Sequence, residues 1–422
     1  MVSVRFTGLW RNSDFLKLWT GQAVSRFGST ITREALPLTA LLVLGATPFQ
    51  MGLLAAVAAA PVLLMGLVAG VWIDRRRRRP LMIAADLTRA LLLVSIPVAK
   101  LLGRLAIAQL FVVAALVSVV TVFFDVAFQS YVPFLVQRER ILEANQKLGL
   151  SGSLAEVTAP GLAGALVQVV SAPLTILLDA GSFLVSALLL GLMRTPEMTP
   201  KPVDDQVSIR SEIRAGLRFV FAHPLLRAFA ARALVDTFFG YFFAALYGLY
   251  CIRDLGMGPA LLGLSVAAGG VGDLIGAVLC ERIARRFGIG PTITGTLFVG
   301  AMAGALMPLA GGPLVVAAAL IVSSQVVGDA VRSVFEISTR SVCQAATPDG
   351  LLGRVNGSMY LLRMGFGPIG AAVGGYLGGA IGVRETLALA VVGGALSGLW
   401  LIASPVRTLR GLPETSETPL HG

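Results

Sequence analysis

No residue between positions 35 and 73 carries a charge, and this stretch constrains the fold more than any other part of the chain. A helix needs about 20 apolar residues to cross a hydrocarbon core about 30 Å thick. These 39 residues, broken only by the turn-like sequence GATPFQ, therefore suffice for two crossings. Only helices and closed barrels satisfy every backbone hydrogen bond inside a bilayer, and barrel strands alternate apolar with polar residues, which this chain does not do. The sequence predicts an all-α membrane protein.

The composition excludes several other classes of protein. Charged residues make up 14% of the chain, against about 25% in a soluble globular domain. The net charge of +11 is explained by the excess of Lys and Arg in the cytoplasmic loops of membrane proteins, so we expect no nucleic-acid partner. The three cysteines (Cys251, Cys280 and Cys343) have no paired spacing, and neither His223 nor His421 lies in an apolar run. We therefore expect no disulfide, no metal site and no cofactor.

The same length rule, applied along the whole chain, predicts twelve transmembrane helices. The predicted spans, numbered 1 to 12, cover residues 15–43, 48–73, 81–102, 105–130, 147–170, 174–193, 226–251, 259–283, 291–310, 314–339, 358–381 and 386–404.

An internal duplication divides these spans into two sets of six. A shift of 211 residues without a gap places Pro48 on Pro259 and Gly52 on Gly263. One offset sustained over more than a hundred residues indicates two repeats, and parallel repeats with a substrate site between them are typical of transporters. We predict an N-terminal six-helix bundle at 1–193 and a C-terminal one at 223–405, arranged around a central cavity. The same shift also aligns Arg75 with Arg286, Pro80 with Pro291, Phe124 with Phe335, Asp125 with Glu336, Asn145 with Asn356 and Gly164 with Gly375.

The segment between the repeats and the distribution of basic residues predict the orientation in the membrane. Residues 194–222 form a polar linker whose second part, IRSEIRAGLRFVFAHP, has the periodicity of an amphipathic helix. If the N-terminus is cytoplasmic, the cytoplasmic segments together with the span ends beside them hold 23 basic residues, and the outer segments with their span ends hold four. We therefore expect a plasma-membrane protein with a cytoplasmic linker, a cytoplasmic tail at 406–422 and both termini inside.

The sequence GVWIDRRRRRP at the end of predicted span 2 resembles the loop signature of the major facilitator superfamily. Arg77 stands where that signature has glycine, and the second repeat lacks the matching aspartate. The resemblance implies a gating loop, while composition alone favours a basic loop that sets topology. The residues that carry the signature are Gly70, Asp74, Arg75, Arg78 and Arg79.

Other phrases are similar to the branch of this superfamily that contains the enterobactin exporter and macrolide efflux pumps. They include FFDVAFQSYVPFLVQRERILEAN, LLDAGSFLVSALLL and PDGLLGRVNG, and in order they cover essentially the whole chain. The resemblance implies export of small molecules without naming one, because that branch handles chemically diverse cargo.

Charged residues inside the spans are the candidate functional residues. An ionisable side chain in a span costs about 2.5–3.5 kcal/mol even on the mildest scale unless it is paired or hydrated. Span 10 carries Asp329, Arg332, Glu336 and Arg340 on one face, either as a self-neutralised ladder or as part of a transport site. The matching face of span 4 is also polar and contains Asp125.

Spans 1 and 7 carry the other charges of interest. Span 7 holds Arg232 and Asp236 one turn apart, and the superfamily resemblance implies that helices 1, 4, 7 and 10 line the cavity. Asp86 and Arg89 in span 3 have the spacing of a structural pair, whereas the roles of Glu156, Asp179 and Asp273 stay open. The candidates for substrate binding and proton coupling are Arg26, Glu34, Asp125, Asp236, Asp329, Arg332 and Glu336.

These features favour a secondary exporter of amphipathic small molecules, such as a drug, an antibiotic or a siderophore-like compound, acting as a monomer by proton antiport. The chain has no phosphate-binding GxxxxGK[ST] loop, which disfavours direct use of ATP. A lipid or lysolipid flippase of the same fold is the alternative, and scrambling of labelled lipids in vesicles would separate the two. An intramembrane enzyme is a remote alternative, because HExxH and GxSxG motifs are absent.

Overall fold

The computed structural model describes residues 8–74, 76–197 and 209–413, and its long elements are α-helices. The helices of the first half are α1 (Ser13–Leu42), α2 (Pro48–Asp74), α3 (Arg78–Leu101), α4 (Ile107–Leu135), α5 (Ile141–Val169) and α6 (Ala172–Gly191). They are followed by α7 (Ile209–Ala222), α8 (Pro224–Leu249), α9 (Pro259–Phe287), α10 (Ile289–Leu309), α11 (Leu314–Ala345), α12 (Leu352–Gly365), α13 (Gly367–Ala380), α14 (Val383–Ser397) and α15 (Leu399–Ile402).

The predicted spans fall on these helices in order. Spans 1 to 6 correspond to α1–α6 and spans 7 to 10 to α8–α11, and α7 lies within the predicted linker. In the part of the chain that the structure describes, nine helical stretches are long and apolar enough to cross a membrane, and the first part of α2 adds a shorter apolar helix, Pro48–Leu63. Helix α1 has the length of a span but carries several charged side chains.

Predicted span 11 is wrong in one respect, because it is interrupted. Span 11 divides at Phe366 into α12 and α13, within the sequence Gly365-Phe366-Gly367-Pro368. Proline has no backbone N–H to donate and glycine costs conformational entropy in a helix, so this sequence weakens the helical hydrogen bonds locally. Span 12 corresponds to α14 and α15, which a one-residue turn at Gly398 separates and which together form one stretch, Val383–Ile402, long and apolar enough to cross a membrane.

Close contacts divide the chain into two units. The first unit comprises Met1–Gln50, Val57–Asp204 and Gly258–Ala267. Within it, α6 packs along both α1 and α3, α1 also packs on α5, and α3 also packs on α4. Its core includes the fully buried rings of Phe15, Phe124 and Tyr131.

The second unit comprises Met51–Ala56, Asp205–Met257 and Ala268–Gly422. Within it, α8 packs against α13 and α14, α10 packs against α11, and α7 packs against α12. Glycines permit several of these contacts. The backbone at Gly370 meets the carbonyl of Phe238 on α8, and Gly216 on α7 meets the carbonyl of Arg354 on α12, so neither position has room for a Cβ atom.

Two close contacts between glycines are related by the internal duplication. In the first unit a Cβ atom on Gly164 would lie 2.9 Å from the Cα of Gly263. In the second unit a Cβ atom on Gly52 would lie 2.6 Å from the Cα of Gly375. The shift of 211 residues converts one pair into the other, so the two repeats share this packing as well as their sequence pattern.

The residue immediately before α6 has a backbone conformation that residues other than glycine rarely adopt. Ser171 has φ 127° and ψ 155°, and among the described residues it is the one non-glycine with positive φ. The shift of 211 residues places it on Gly382, which has φ 106° and ψ 152° at the same position before α14. The second repeat thus has glycine where the first repeat has a strained serine.

Contacts from distant parts of the sequence hold the end of α6. Asp14 lies in the first turn of α1, just before predicted span 1, and its carboxylate accepts hydrogen bonds from the backbone N–H groups of Arg194 (2.9 Å) and Thr195 (2.7 Å). Burial favours a higher pKa for Asp14, but hydrogen bonds from Thr195 and Lys17 outweigh it and hold the pKa well below its ordinary value. The carboxylate therefore stays ionised and anchors the chain that follows α6.

Candidate functional site

A cavity of about 850 Å³ lies within the second unit. Side chains of α8, α10, α11, α12 and α14 line it. A cavity of this volume is in the range that takes a drug-sized ligand. Three of the candidate residues predicted from the sequence, Asp236, Arg332 and Glu336, lie on its wall.

Helix α8 contributes an ion pair to this wall. Arg232 Nη2 lies 3.3 Å from Asp236 Oδ1, as the spacing of one helical turn predicts. The Arg232 guanidinium also stacks on the ring of Phe335, with its Cζ 3.9 Å from the ring centroid. The Arg232 side chain is 14% exposed and the Asp236 side chain 45% exposed, so the acid is the member of the pair that reaches the open cavity.

Helix α11 contributes the predicted ladder of charges. Arg332 Nε lies 3.1 Å from Asp329 Oδ1, and Arg332 Nη1 lies 3.6 Å from Glu336 Oε1. Asp273 on α9 joins them, with its Oδ1 3.7 Å from Arg332 Nη2. One arginine therefore faces three carboxylates. Sequence reasoning left the role of Asp273 open, and the structure places it beside Arg332.

Helix α12 supplies cavity residues that the sequence interpretation did not select. Arg363 Nη2 donates a 3.2 Å hydrogen bond to Glu336 Oε1, and Asn356 and Tyr360 lie on the same lining. Arg340, already noted on the face of α11, also lines the cavity. The sequence did contain a signal for Arg363, because a basic residue inside a predicted apolar span is a candidate functional residue.

Apolar groups complete the lining. Phe229, Phe243 and Phe335 lie on it together with Met359 and Met364. Aromatic rings offer large apolar contact area, and methionine adapts its shape to different neighbours. The cavity therefore combines paired charges with apolar surface, as the binding of an amphipathic molecule requires.

A family profile described as Major Facilitator Superfamily matches residues 18–371. The chain belongs to the major facilitator superfamily. The all-α transmembrane fold with two six-helix repeats, predicted from the sequence, is thereby confirmed.

The chain is similar to several named transporters. The multidrug efflux pump Tap of Mycolicibacterium fortuitum is 28% identical over 348 residues, which is 77% of this chain and 80% of Tap. The enterobactin exporter EntS of Salmonella choleraesuis (strain SC-B67) is 25% identical over 379 residues, which is 87% of each chain. Among solved structures, an inward-facing bacterial homologue of the iron transporter ferroportin superposes with a TM-score of 0.76 over 94% of this chain and 99% of that one. At 18% identity this last likeness shows the shared fold.

In the first unit of this superfamily protein, α1 and α5 carry a surface cluster of charges. Arg33 makes a two-pronged contact with Glu156, at 2.5 Å and 3.2 Å, although 123 residues separate them. Glu34 lies 3.9 Å from the same arginine. The structure thus brings the candidate Glu34 next to Glu156, which the sequence left without a role.

A second group of charges in the first unit is buried. Arg89 pairs with Asp86, as predicted, and its guanidinium lies between the rings of Phe124 (4.3 Å) and Phe183 (4.1 Å). Asp179, 1% exposed, accepts hydrogen bonds from serine hydroxyls and has no ion-pair partner in the described part of the chain. All three charged side chains are therefore buried within the first unit.

The candidates Arg26 and Asp125 lie beside this buried group. Arg26 is exposed and Asp125 half-buried, and Asp125 interacts electrostatically with both Arg26 and Arg89. Among the described residues neither arginine is hydrogen-bonded to it. Asp125 therefore lies near two arginines but forms an ion pair with neither of them.

The superfamily loop signature is partly described. Gly70 and Asp74 lie in the last turns of α2, but the Asp74 side chain and the whole of Arg75 are outside the described residues. At the start of α3, the backbone N–H groups of Arg78 and Arg79 donate to the carboxylate of Glu197 at 2.5 Å and 3.0 Å. The gating role of Asp74 stays a prediction.

Arg79 also reaches the end of α6. Its side chain donates to the carbonyls of Leu190 (2.7 Å) and Gly191 (2.6 Å). A guanidinium there satisfies carbonyl groups that have no partner within the helix. Arg77 has φ −67°, while the aligned Gly288 has φ 86°, so the first repeat does not require the glycine that the signature normally has here.

Proposed function

We propose that this protein is a secondary exporter of amphipathic small molecules, drug-, antibiotic- or siderophore-like, across the plasma membrane. The observation that carries the proposal is the cavity of the second unit, whose wall combines acid–arginine pairs with aromatic and methionine side chains. The superfamily relatives named as a multidrug efflux pump and an enterobactin exporter support the same direction of transport.

We infer that protons drive the export. A carboxylate such as Asp236 or Glu336 holds either a proton or the arginine beside it, because protonation removes the charge that attracts the guanidinium. Proton entry from outside would loosen the pair and change how the arginine meets the cargo. Proton release to the cytoplasm would restore the pair, so the two chemical states differ in their affinity for cargo.

Alternating access links these states to the two sides of the membrane. A ligand shifts a conformational equilibrium only by as much as its affinity differs between the conformations. The acid–arginine pairs supply such a difference in proton affinity between the two conformations. The loop that follows Asp74 is proposed as the gate. We also propose that the chain functions as a monomer, with the linker and both termini in the cytoplasm.

The test uses purified protein in liposomes with an imposed pH gradient and a fluorescent amphipathic probe. We expect the wild type to concentrate the probe and an ionophore that collapses the gradient to abolish this. Asp236→Asn and Glu336→Gln should each lose gradient-driven accumulation by more than tenfold while still exchanging a neutral probe at equilibrium. Glu34→Gln should have a smaller effect, because Glu34 lies outside the cavity lining.

The matched control is Glu281→Gln, which removes an acid that pairs with Arg285 at 2.6 Å on the exposed surface of α9. It should transport like the wild type. Accumulation that ignores the ionophore, or that survives both cavity substitutions, would show that these carboxylates are structural and that protons do not act through them.

A further inference from the structure

The carboxylates on the lining of the second unit's cavity are all paired with arginines, whereas the lining arginines are not all paired with carboxylates of the described residues. Each carboxylate on the lining already faces an arginine, Asp236 facing Arg232 and Glu336 facing both Arg332 and Arg363. A guanidinium has five N–H donors and accepts nothing. Arg332 also contacts two other carboxylates, but Arg363 has Glu336 as its one ion-pair partner among the described residues, so most N–H donors of Arg363 stay available.

Other donors on the lining have no partner. Arg340 is exposed on the cavity wall and makes neither a hydrogen bond nor an ion pair with any described residue. Buried polar atoms without a partner in the described structure include Arg232 Nε and Thr339 Oγ1, and both residues line the cavity. Buried polar groups are normally hydrogen-bonded, so these two donors are left unsatisfied by the described residues.

The charges of the lining show the same bias. Four arginines lie on it against two carboxylates, while Asp329 and Asp273 contact Arg332 from outside the lining. Arg232 and Arg363 are also close enough to repel each other. An anion between these side chains would relieve that repulsion.

We propose that the cargo of this cavity is an amphipathic anion, an apolar body that carries a carboxylate, sulfonate or phosphate group. The anionic group binds Arg340 and Arg363, whose side chains are both exposed to the cavity. The apolar body packs against Phe243, Phe335 and Met359. This assignment of cargo rests on the proposed export function and narrows it to one charge class.

The test compares the binding of three probes that share one fluorophore: dansylglycine, which is anionic, dansylglycinamide, which is neutral, and dansylcadaverine, which is cationic. Fluorescence anisotropy with the full-length protein in neutral detergent gives each dissociation constant. We expect dansylglycine to bind at least tenfold more tightly than the amide and to weaken as salt is raised, because its charge contacts arginine. Equal affinity for all three, or preference for dansylcadaverine, would overturn the proposal.

Variants locate the contact. Arg340→Gln should weaken dansylglycine binding about tenfold and leave dansylglycinamide binding unchanged, and Arg340→Lys should retain most of the affinity. Arg282→Gln, which removes an exposed arginine of α9 outside the lining, is the matched control. A loss that is equal for both probes in Arg340→Gln would assign Arg340 to folding and contradict its role in anion binding.

A competition experiment separates a soluble cargo from a lipid headgroup. Phosphatidylglycerol added to the micelles should not displace dansylglycine. Displacement at equal mole fraction would assign the site to a lipid headgroup and overturn the proposal of a soluble anionic cargo. Failure here is distinguishable from failure of the proposed function. Proton-driven export without anion preference contradicts only the cargo class, and anion preference without driven transport contradicts only the exporter.

Discussion

Ser171 shows how one residue can store strain between two helices. It adopts φ 127° and ψ 155° immediately before α6. A side chain in this region costs about 1–3 kcal/mol, and glycine does not incur that cost. Its hydroxyl oxygen is also buried without a hydrogen-bond partner in the described structure. The aligned Gly382 shows the unstrained solution in the same chain.

We predict that Ser171→Gly stabilises the protein by about 1 kcal/mol or more, because the native φ becomes favourable. The midpoint of thermal unfolding in detergent measures the change. The reciprocal variant Gly382→Ser is the control and should destabilise by a similar amount. If Ser171→Gly does not stabilise the protein and Gly382→Ser does not destabilise it, the backbone must relax at both sites, which would contradict the prediction.

The buried group around Arg89 contains two acids and one arginine. Asp86, Arg89 and Asp179 are 0%, 3% and 1% exposed. Asp86 pairs with the arginine, whereas Asp179 Oδ1 has the hydroxyls of Ser182 at 3.0 Å and Ser29 at 3.4 Å. The three side chains therefore contribute to stability in different ways.

We predict that Asp86→Asn destabilises the protein by about 3–5 kcal/mol, because it removes the one carboxylate that forms an ion pair with the buried Arg89 in the described structure. Asp179→Asn keeps the shape and an accepting oxygen for the hydroxyls, so its effect should stay within about 1 kcal/mol. Thermal unfolding of the two variants side by side tests this contrast. Equal losses would mean that Arg89 depends on both acids.

At the scale of helices, the end of α6 is joined to the starts of α1 and α3. Asp14 accepts from the chain just after α6, Arg79 donates to the last carbonyls of α6, and Glu197 caps the first N–H groups of α3. Each contact satisfies backbone groups that a helix leaves without partners at its ends. These contacts fix three helix ends at one place in the first unit.

We predict that Asp14→Asn lowers the free energy of unfolding at pH 7 by about 1 kcal/mol or more. The pKa of Asp14 is lowered in the folded protein, so its contribution is present above the unfolded value of about 4 and is lost as the pH falls below it. The difference between wild type and variant should therefore shrink between about pH 5 and pH 2. Unfolding curves over this range measure it, and a difference independent of pH would contradict the charge-based account.

For the whole molecule, orientation in the membrane is the main untested prediction. The excess of basic residues places residue 205 inside and residue 47 outside. A membrane-impermeant thiol reagent should label Thr47→Cys but not Asp205→Cys in intact cells. The native Cys251, Cys280 and Cys343 are buried and give little background. Labelling of the 205 variant alone would reverse the topology.

The sequence predicts local features of this molecule better than distant ones. The pairs Arg232–Asp236 and Arg332–Glu336 follow from helical spacing, because the partners lie one turn apart. The pair Arg33–Glu156 joins residues 123 apart in the chain and depends on how α1 packs on α5. Arg363 and Glu336 are 27 residues apart in the chain and lie on different helices. Helical spacing therefore does not predict their contact, and the α12 side of the cavity was not predicted from the sequence.

The interruption at Phe366 lay within reach of sequence reasoning, since Gly367-Pro368 stands in the middle of an apolar span. The limits of the two domains, the gate and the coupling residues stay predictions. Their roles depend on differences between conformational states, and charge patterns within one sequence do not contain that information.

The two glycine contacts place the same limit on side-chain size in both repeats. In the numbering of the repeat, Gly164 meeting Gly263 and Gly52 meeting Gly375 are one contact made twice with the partners exchanged. At Gly52, Gly164 and Gly263 a methyl group would meet backbone atoms closer than van der Waals contact allows. Replacement of any one of these three glycines by alanine therefore requires two helices to move apart.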